Sequence, residues 1–184
     1  MVLEGIEKEF DQEESKISKL VKRIFIVGMA LFLILIVLTY LVPGNNLLDI
    51  IEGRFVSYPL EEDFFVSLRS GGKVIFGSEV YEELKIIYLE EQKNEFKVCL
   101  IGNKFGDDYK INDLKKPVIY NQDVFSVSAE QCGKETLIPL HSHPKNRCIF
   151  SFQDIKSYEA FKKINPDAII GLMCEQKRFS FYGY

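Results

Sequence analysis

The sequence predicts an α+β domain behind a single membrane-crossing helix. Three observations carry that prediction. Residues 24–48 contain no charged side chain, in a chain that is otherwise 27% charged. Downstream, strand-like and helix-like segments mix without a regular βαβ repeat, which favours α+β over a doubly wound sheet. Residues 44–184 suffice for one well-buried domain and are too few for two typical ones.

Residues 1–23 are polar, with Ile6, Phe10, Ile17, Leu20 and Ile24 at the spacings of an amphipathic helix. A segment barely two heptads long fits either a solvated extension or a weakly self-associating helix. Ile24–Val42 is almost purely apolar, and as a helix its nineteen residues cover roughly 28 Å, close to the hydrocarbon thickness of a bilayer. That core is too long for a cleaved signal peptide, and the following VPGNNLLD carries no A-x-A-like site. Residues 24–42 therefore read as a transmembrane helix. Lys16, Lys19, Lys22 and Arg23 crowd its N-terminal flank, whereas Arg54 is the only basic residue in the next twenty. The positive-inside rule then places the N-terminus in the cytoplasm and the C-terminal domain outside.

Pro43-Gly44-Asn45-Asn46 breaks the helix, and Leu47–Glu52 reads as a short interfacial turn. Residues 43–72 are expected to be a linker and accessory hairpin, with Phe64–Leu68 and Lys73–Phe76 flanking the turn Arg69-Ser70-Gly71-Gly72. Ser78 is positioned to cap a helix over 79–93 whose apolar face holds Val80, Leu84, Ile87 and Tyr88. Phe96–Ile101 (FKVCLI) is a strand ended by Gly102, and 103–116 reads as polar and turn-rich. Short extended segments follow at 117–120, 124–127 and 135–140. A helix over 152–163 and strands at 168–174 and 178–182 complete the domain.

The net charge of −4 is spread along the chain, and no basic patch points to nucleic acid. The four cysteines, Cys99, Cys132, Cys148 and Cys174, lie far apart without a CxxC pair. That spacing suits neither a disulfide framework nor a four-cysteine zinc site, and scattered buried thiols are the expectation.

Both histidines of the chain sit in His141-Ser142-His143-Pro144. At a strand end, residues i and i+2 point to one side with Cα atoms about 6–7 Å apart, so two imidazoles can converge on one metal. Pro144 removes a backbone donor and ends the strand. Farther on, Ser151-Phe152-Gln153-Asp154 has the form of a capping box, which places Asp154 on the first turn of the next helix. Two nitrogens, one carboxylate oxygen and a water are the four-coordinate pattern of a catalytic zinc. A general base is also required, and on spacing alone Glu95 is one of several candidates, with Glu90 and Glu91.

HSHP, six residues and SxxD together resemble the JAMM motif of the JAB/MPN metalloproteases, zinc isopeptidases acting on ubiquitin-like conjugates together with bacterial and archaeal relatives. Upstream, Glu95 with the apolar strand and Gly102 resembles that family's E-V-x-G-L-L-x-G segment. The likeness covers about residues 73–184. It implies a JAB/MPN-type, cytidine-deaminase-like mixed sheet flanked by helices. It also implies one catalytic Zn2+ on His141, His143 and Asp154, with Glu95 as general base and Ser151 donating to the oxyanion. The substrate would be a protein amide bond, including a ubiquitin-like conjugate in the cytosol, which is at odds with the outward orientation the flanking charges favour. Val98 stands where the family commonly has glycine, and Ile138-Pro139-Leu140 precedes the histidines where many members carry glycine or aromatic residues. An inactive scaffold of the same fold is the alternative. A zinc deaminase would need a P-C-x-x-C element, which the chain lacks.

Overall fold

The structure is a computed structural model and describes residues 2–41 and 47–184. The chain divides into two compact units, Met1–Asn46 and Leu47–Tyr184. In the first, α1 (Val2–Leu41) is one continuous helix, so the polar N-terminal segment runs without a break into the apolar one. Its window Ser18–Leu38 has a mean hydropathy of 2.6 and none of it is buried. This helix is long and apolar enough to cross a membrane, a test of length and composition that a signal sequence also meets. Val42 and the expected break at Pro43–Asn46 lie outside the described residues, as do the side chains of Ile6, Phe10 and Ile17.

The second unit is mixed α+β. Its first element, α2 (Leu47–Val56), is a ten-residue helix where only a turn was expected. Next come β1 (Tyr58–Pro59), β2 (Phe65–Ser67), β3 (Lys73–Phe76) and α3 (Ser78–Glu90). The middle of the unit holds β4 (Lys97–Phe105), β5 (Asp108–Lys115), β6 (Ile119–Gln122), β7 (Val127–Ala129) and β8 (Thr136–Ser142). Last are α4 (Phe152–Lys162), β9 (Ile170–Glu175) and β10 (Arg178–Tyr182). Eight strands form one sheet in the order β1-β10-β9-β8-β4-β5-β3-β2, while β6 and β7 pair by themselves. Neighbours are antiparallel except β3 with β5 and β8 with β9. Residues 47–72 thus do more than link, because they supply α2 and both edge strands of the sheet.

Apolar side chains from the middle of the sheet and from α3 make the main core, including Val74, Leu84, Leu100, Ile138, Leu140 and Phe179. The expected apolar face of α3 is buried at Val80, Leu84 and Ile87, with Tyr81 added. Its N-cap is Gly77 rather than Ser78, so the helix starts without a side-chain cap.

Two further expectations are corrected in the middle of the sheet. The FKVCLI strand does not stop at Gly102 but continues to Phe105, and the polar stretch after it forms β5. At Gly102 the β4–β5 register shifts, and the Lys110 carbonyl of β5 presses so close that any Cβ would strike it. The glycine permits a bulge in a strand that continues. In β5 the buried residues Tyr109 and Ile111 alternate with exposed polar ones, so a half-solvated strand reads by composition as turn.

The cysteines are not scattered thiols. Cys99 is bonded to Cys132 and Cys148 to Cys174, with Cα separations of 5.7 and 5.2 Å. Each bond closes between segments that only the tertiary fold brings together, and four cysteines allow three pairings that spacing alone does not separate. Such bonds form and persist in oxidising compartments. By the chain-entropy relation for loops of this size, each contributes about 3.5 kcal/mol. Denatured whole chain alkylated with a maleimide polymer should therefore gain no mass unless it is first reduced, and then gain four additions. Reduction should also lower the unfolding midpoint of the folded protein sharply.

Candidate metal centre

The centre is built around β8, a strand buried along nearly its whole length between β4 and β9. Its register sets Lys97 of β4 and Leu172 of β9 on either side of His141. Just past the strand end, the His143 amide donates to the Met173 carbonyl at 3.3 Å, which keeps the chain extended for one more residue. His141 and His143 then fall two residues apart on one side, as the strand period requires. Ser142 points the other way. Its amide donates to the Phe96 carbonyl and its Oγ accepts from the Phe96 amide, both at 3.0 Å. That clasp carries the β4–β8 pairing past the ladder and fixes the residue before Phe96, which is Glu95.

Asp154 arrives from α4 through the expected capping box. The Asp154 amide donates to Ser151 Oγ at 3.2 Å and the Ser151 amide donates to Asp154 Oδ2 at 2.6 Å. The box holds the carboxylate on the first turn of α4, where Oδ1 faces His141 and the capping oxygen Oδ2 also faces His143. Ser151 Oγ accepts in this cap, so its own hydroxyl proton remains to donate elsewhere.

The four side chains converge. His141 Nε2 and His143 Nε2 are 3.2 Å apart. Asp154 Oδ1 lies 3.3 Å from His141 Nε2, and Oδ2 lies 3.5 Å from His143 Nε2. Glu95 Oε1 is 3.6 Å from His143 Nε2. One donor atom from each of His141, His143 and Asp154 falls within 4.8 Å of the others, so the group can hold a metal ion. Bonds of about 2.0–2.1 Å at tetrahedral angles put ligand atoms roughly 3.4 Å apart, close to these separations. The donor set of two imidazoles and a carboxylate fits zinc as well. Cys148, between the two ligand segments, is taken up by its disulfide and supplies neither ligand nor nucleophile.

Glu95 is only 6% exposed. Its burial, opposed by the nearby His143 and reinforced by Asp154 and Asp123, pushes its carboxyl up to about 7. Burial also pushes the Asp154 carboxyl up, but bonds from His141 and His143, the His141 charge and Ser151 outweigh it and hold the group well below the usual range. Two carboxylates side by side are thus driven apart in acidity. Asp154 stays ionised, as a cation ligand would need to be, and Glu95 titrates near neutrality.

The ligands open into a cleft of about 380 Å³ that also includes Phe125, Arg147 and Tyr158. Its overhang is the β6–β7 hairpin. The Asp123 carboxylate takes the Phe125 and Ser126 amides at the hairpin tip, at 2.7 and 2.9 Å. Its carbonyl accepts the Glu95 amide at 2.8 Å, so the tip is fastened to the residue beside the metal ligands. The Cys99–Cys132 bond ties the segment after β7 back to β4. Asp123 and Arg147 were not singled out in the sequence. Asp123 had a readable signal, an aspartate before a turn, whereas Arg147 has none beyond its place in the loop between ligand segments.

The Glu95 carboxyl keeps its proton to about pH 7 in the folded chain, and in the unfolded chain it releases it near 4.5. Its raised value costs the fold nothing below the unfolded value, and the cost grows as pH climbs to about 7. In chelator-treated protein, Glu95→Gln should raise stability at pH 8 by roughly 2–3 kcal/mol and leave it unchanged near pH 4, as read by denaturant melts. Equal melts at pH 8 would count against a buried, proton-holding Glu95. No family model matches the chain, and no curated protein matches it.

Proposed function

We propose that this chain is a membrane-anchored, zinc-dependent hydrolase of peptide or isopeptide bonds, of the JAMM type. The observation that carries the reading is the convergence of His141, His143 and Asp154, with Glu95 3.6 Å from a ligand nitrogen and Ser151 beside the cleft. A zinc ion held there supplies Lewis acidity, polarising a carbonyl and acidifying water. Glu95 accepts the proton from the attacking water and returns it to the leaving amine, a task matched by a carboxyl poised near neutrality. Ser151 directs its free hydroxyl proton at the oxyanion. Asp154 stays ionised and the capping box keeps it aimed.

The disulfides support placing this unit on the outer, oxidising side, in agreement with the basic residues before the apolar helix. That side makes exported or membrane proteins better substrates than a cytosolic ubiquitin-like conjugate.

Full-length protein in detergent should carry one zinc per chain and cleave a peptide library, with products identified by mass spectrometry. Glu95→Gln should keep the zinc and lose about 10²–10⁴-fold in kcat. Ser151→Ala should lose about 10²-fold with little change in KM. His141→Ala combined with His143→Ala should abolish zinc binding. Undiminished cleavage by Glu95→Gln would falsify the assignment.

A further inference from the structure

α2 has two dissimilar faces. Asp49 and Gly53 point at the loop between the metal-ligand segments. Arg147 Nη2 lies 3.4 Å from Asp49 Oδ2, and a Cβ on Gly53 would come within 2.9 Å of the Cys148 backbone nitrogen. Ile51 and Phe55 lie two positions farther on, about 200° around the helix. They are 47% and 76% exposed, a large apolar pair on the face turned away from the domain. Glu52 and Arg54 border this pair, and Arg54 reaches back to Glu175 at 3.2 Å. An apolar stripe bordered by charge is the pattern of a helix lying in a lipid–water interface.

Chain length says what covers the stripe. Five residues separate α1 from α2, and a connection of that length reaches at most roughly 20 Å. We propose that α2 lies on the bilayer that α1 crosses, with Ile51 and Phe55 set among the lipid headgroups and upper acyl chains. This rests on the reading of α1 as a membrane anchor. The docked face is one helix diameter, about 10 Å, from Arg147, which lines the metal cleft. The cleft is thereby held close to the lipid surface and takes chains presented near it.

The chain contains no tryptophan, so a single introduced one reports cleanly. Full-length Phe55→Trp is reconstituted in phosphatidylcholine vesicles with and without brominated acyl chains. Phe105→Trp, at the β4–β5 turn and 64% exposed in the native residue, serves as the comparison. Bromolipid should quench Phe55→Trp about two-fold or more and leave Phe105→Trp unchanged, while Phe55→Trp emission moves to the blue. Vesicle flotation separates the two ways of failing. Chain that does not float overturns the anchor and the docking together. Chain that floats with equal quenching of both variants overturns the docking alone. Shielding of Phe55→Trp from aqueous iodide without lipid quenching means that protein covers the stripe, and this also overturns it.

Discussion

The register of β4 against β8 is the constraint on which the centre depends. Lys97 stands opposite His141 and Val98 opposite Leu140, and the Phe96–Ser142 clasp extends the pairing by one residue. Side chains alternate with a period of two, so a slip of one residue would turn both histidines to the other side and carry Glu95 out of range. The apolar partners prevent that slip. Val98, Leu100, Ile138 and Leu140 are all at most 1% exposed, and moving any of them would open the core. Hydrophobic packing fixes the register, and the Phe96–Ser142 clasp and the Asp123 carbonyl then hold Glu95 beside His143.

The third ligand reaches the site by a different route. Asp154 depends on helix-end chemistry, in which a serine and an aspartate each satisfy the other's backbone amide. This is local, so Asp154 is aimed correctly wherever α4 begins, and only the position of α4 must come from the fold. Tyr158 and Phe161, both buried, supply it by packing α4 down. The loop between the two ligand segments is pinned by Cys148 to Cys174 and by the Ser180 hydroxyl donating to the Cys148 carbonyl at 2.7 Å. Strand pairing, a helix cap and a covalent tie therefore converge on one cluster from three directions.

How much of this could be read from the sequence follows from the range of each interaction. HSHP and SxxD were legible because two-residue alternation and capping boxes act within a few residues. Glu95 was legible only through resemblance, since nothing local distinguishes it from Glu90 or Glu91. The β2–β3 hairpin was legible from its turn. β5 was missed because a half-solvated strand carries few apolar residues, although Tyr109 and Ile111 do alternate correctly. The disulfides and the fastening of Asp123 to Glu95 were beyond reach, since each joins segments whose closeness exists only after the sheet has formed. Ser78 misled because a good capping residue stood one position inside the helix that Gly77 starts.

The place of β9 and β10 in the chain gives the centre an order of birth. His143 is held by Met173, β9 is held by β10, and β10 pairs with β1 through Phe179 and Tyr58. The ligand-bearing segment is synthesised before the two strands that hold it in place, and the apolar helix emerges before either. Domains condense as their segments leave the ribosome, so the cluster stays loose until residue 182 is free. The apolar helix is therefore complete long before the centre is assembled, and every assembled centre is made on a chain that already carries it.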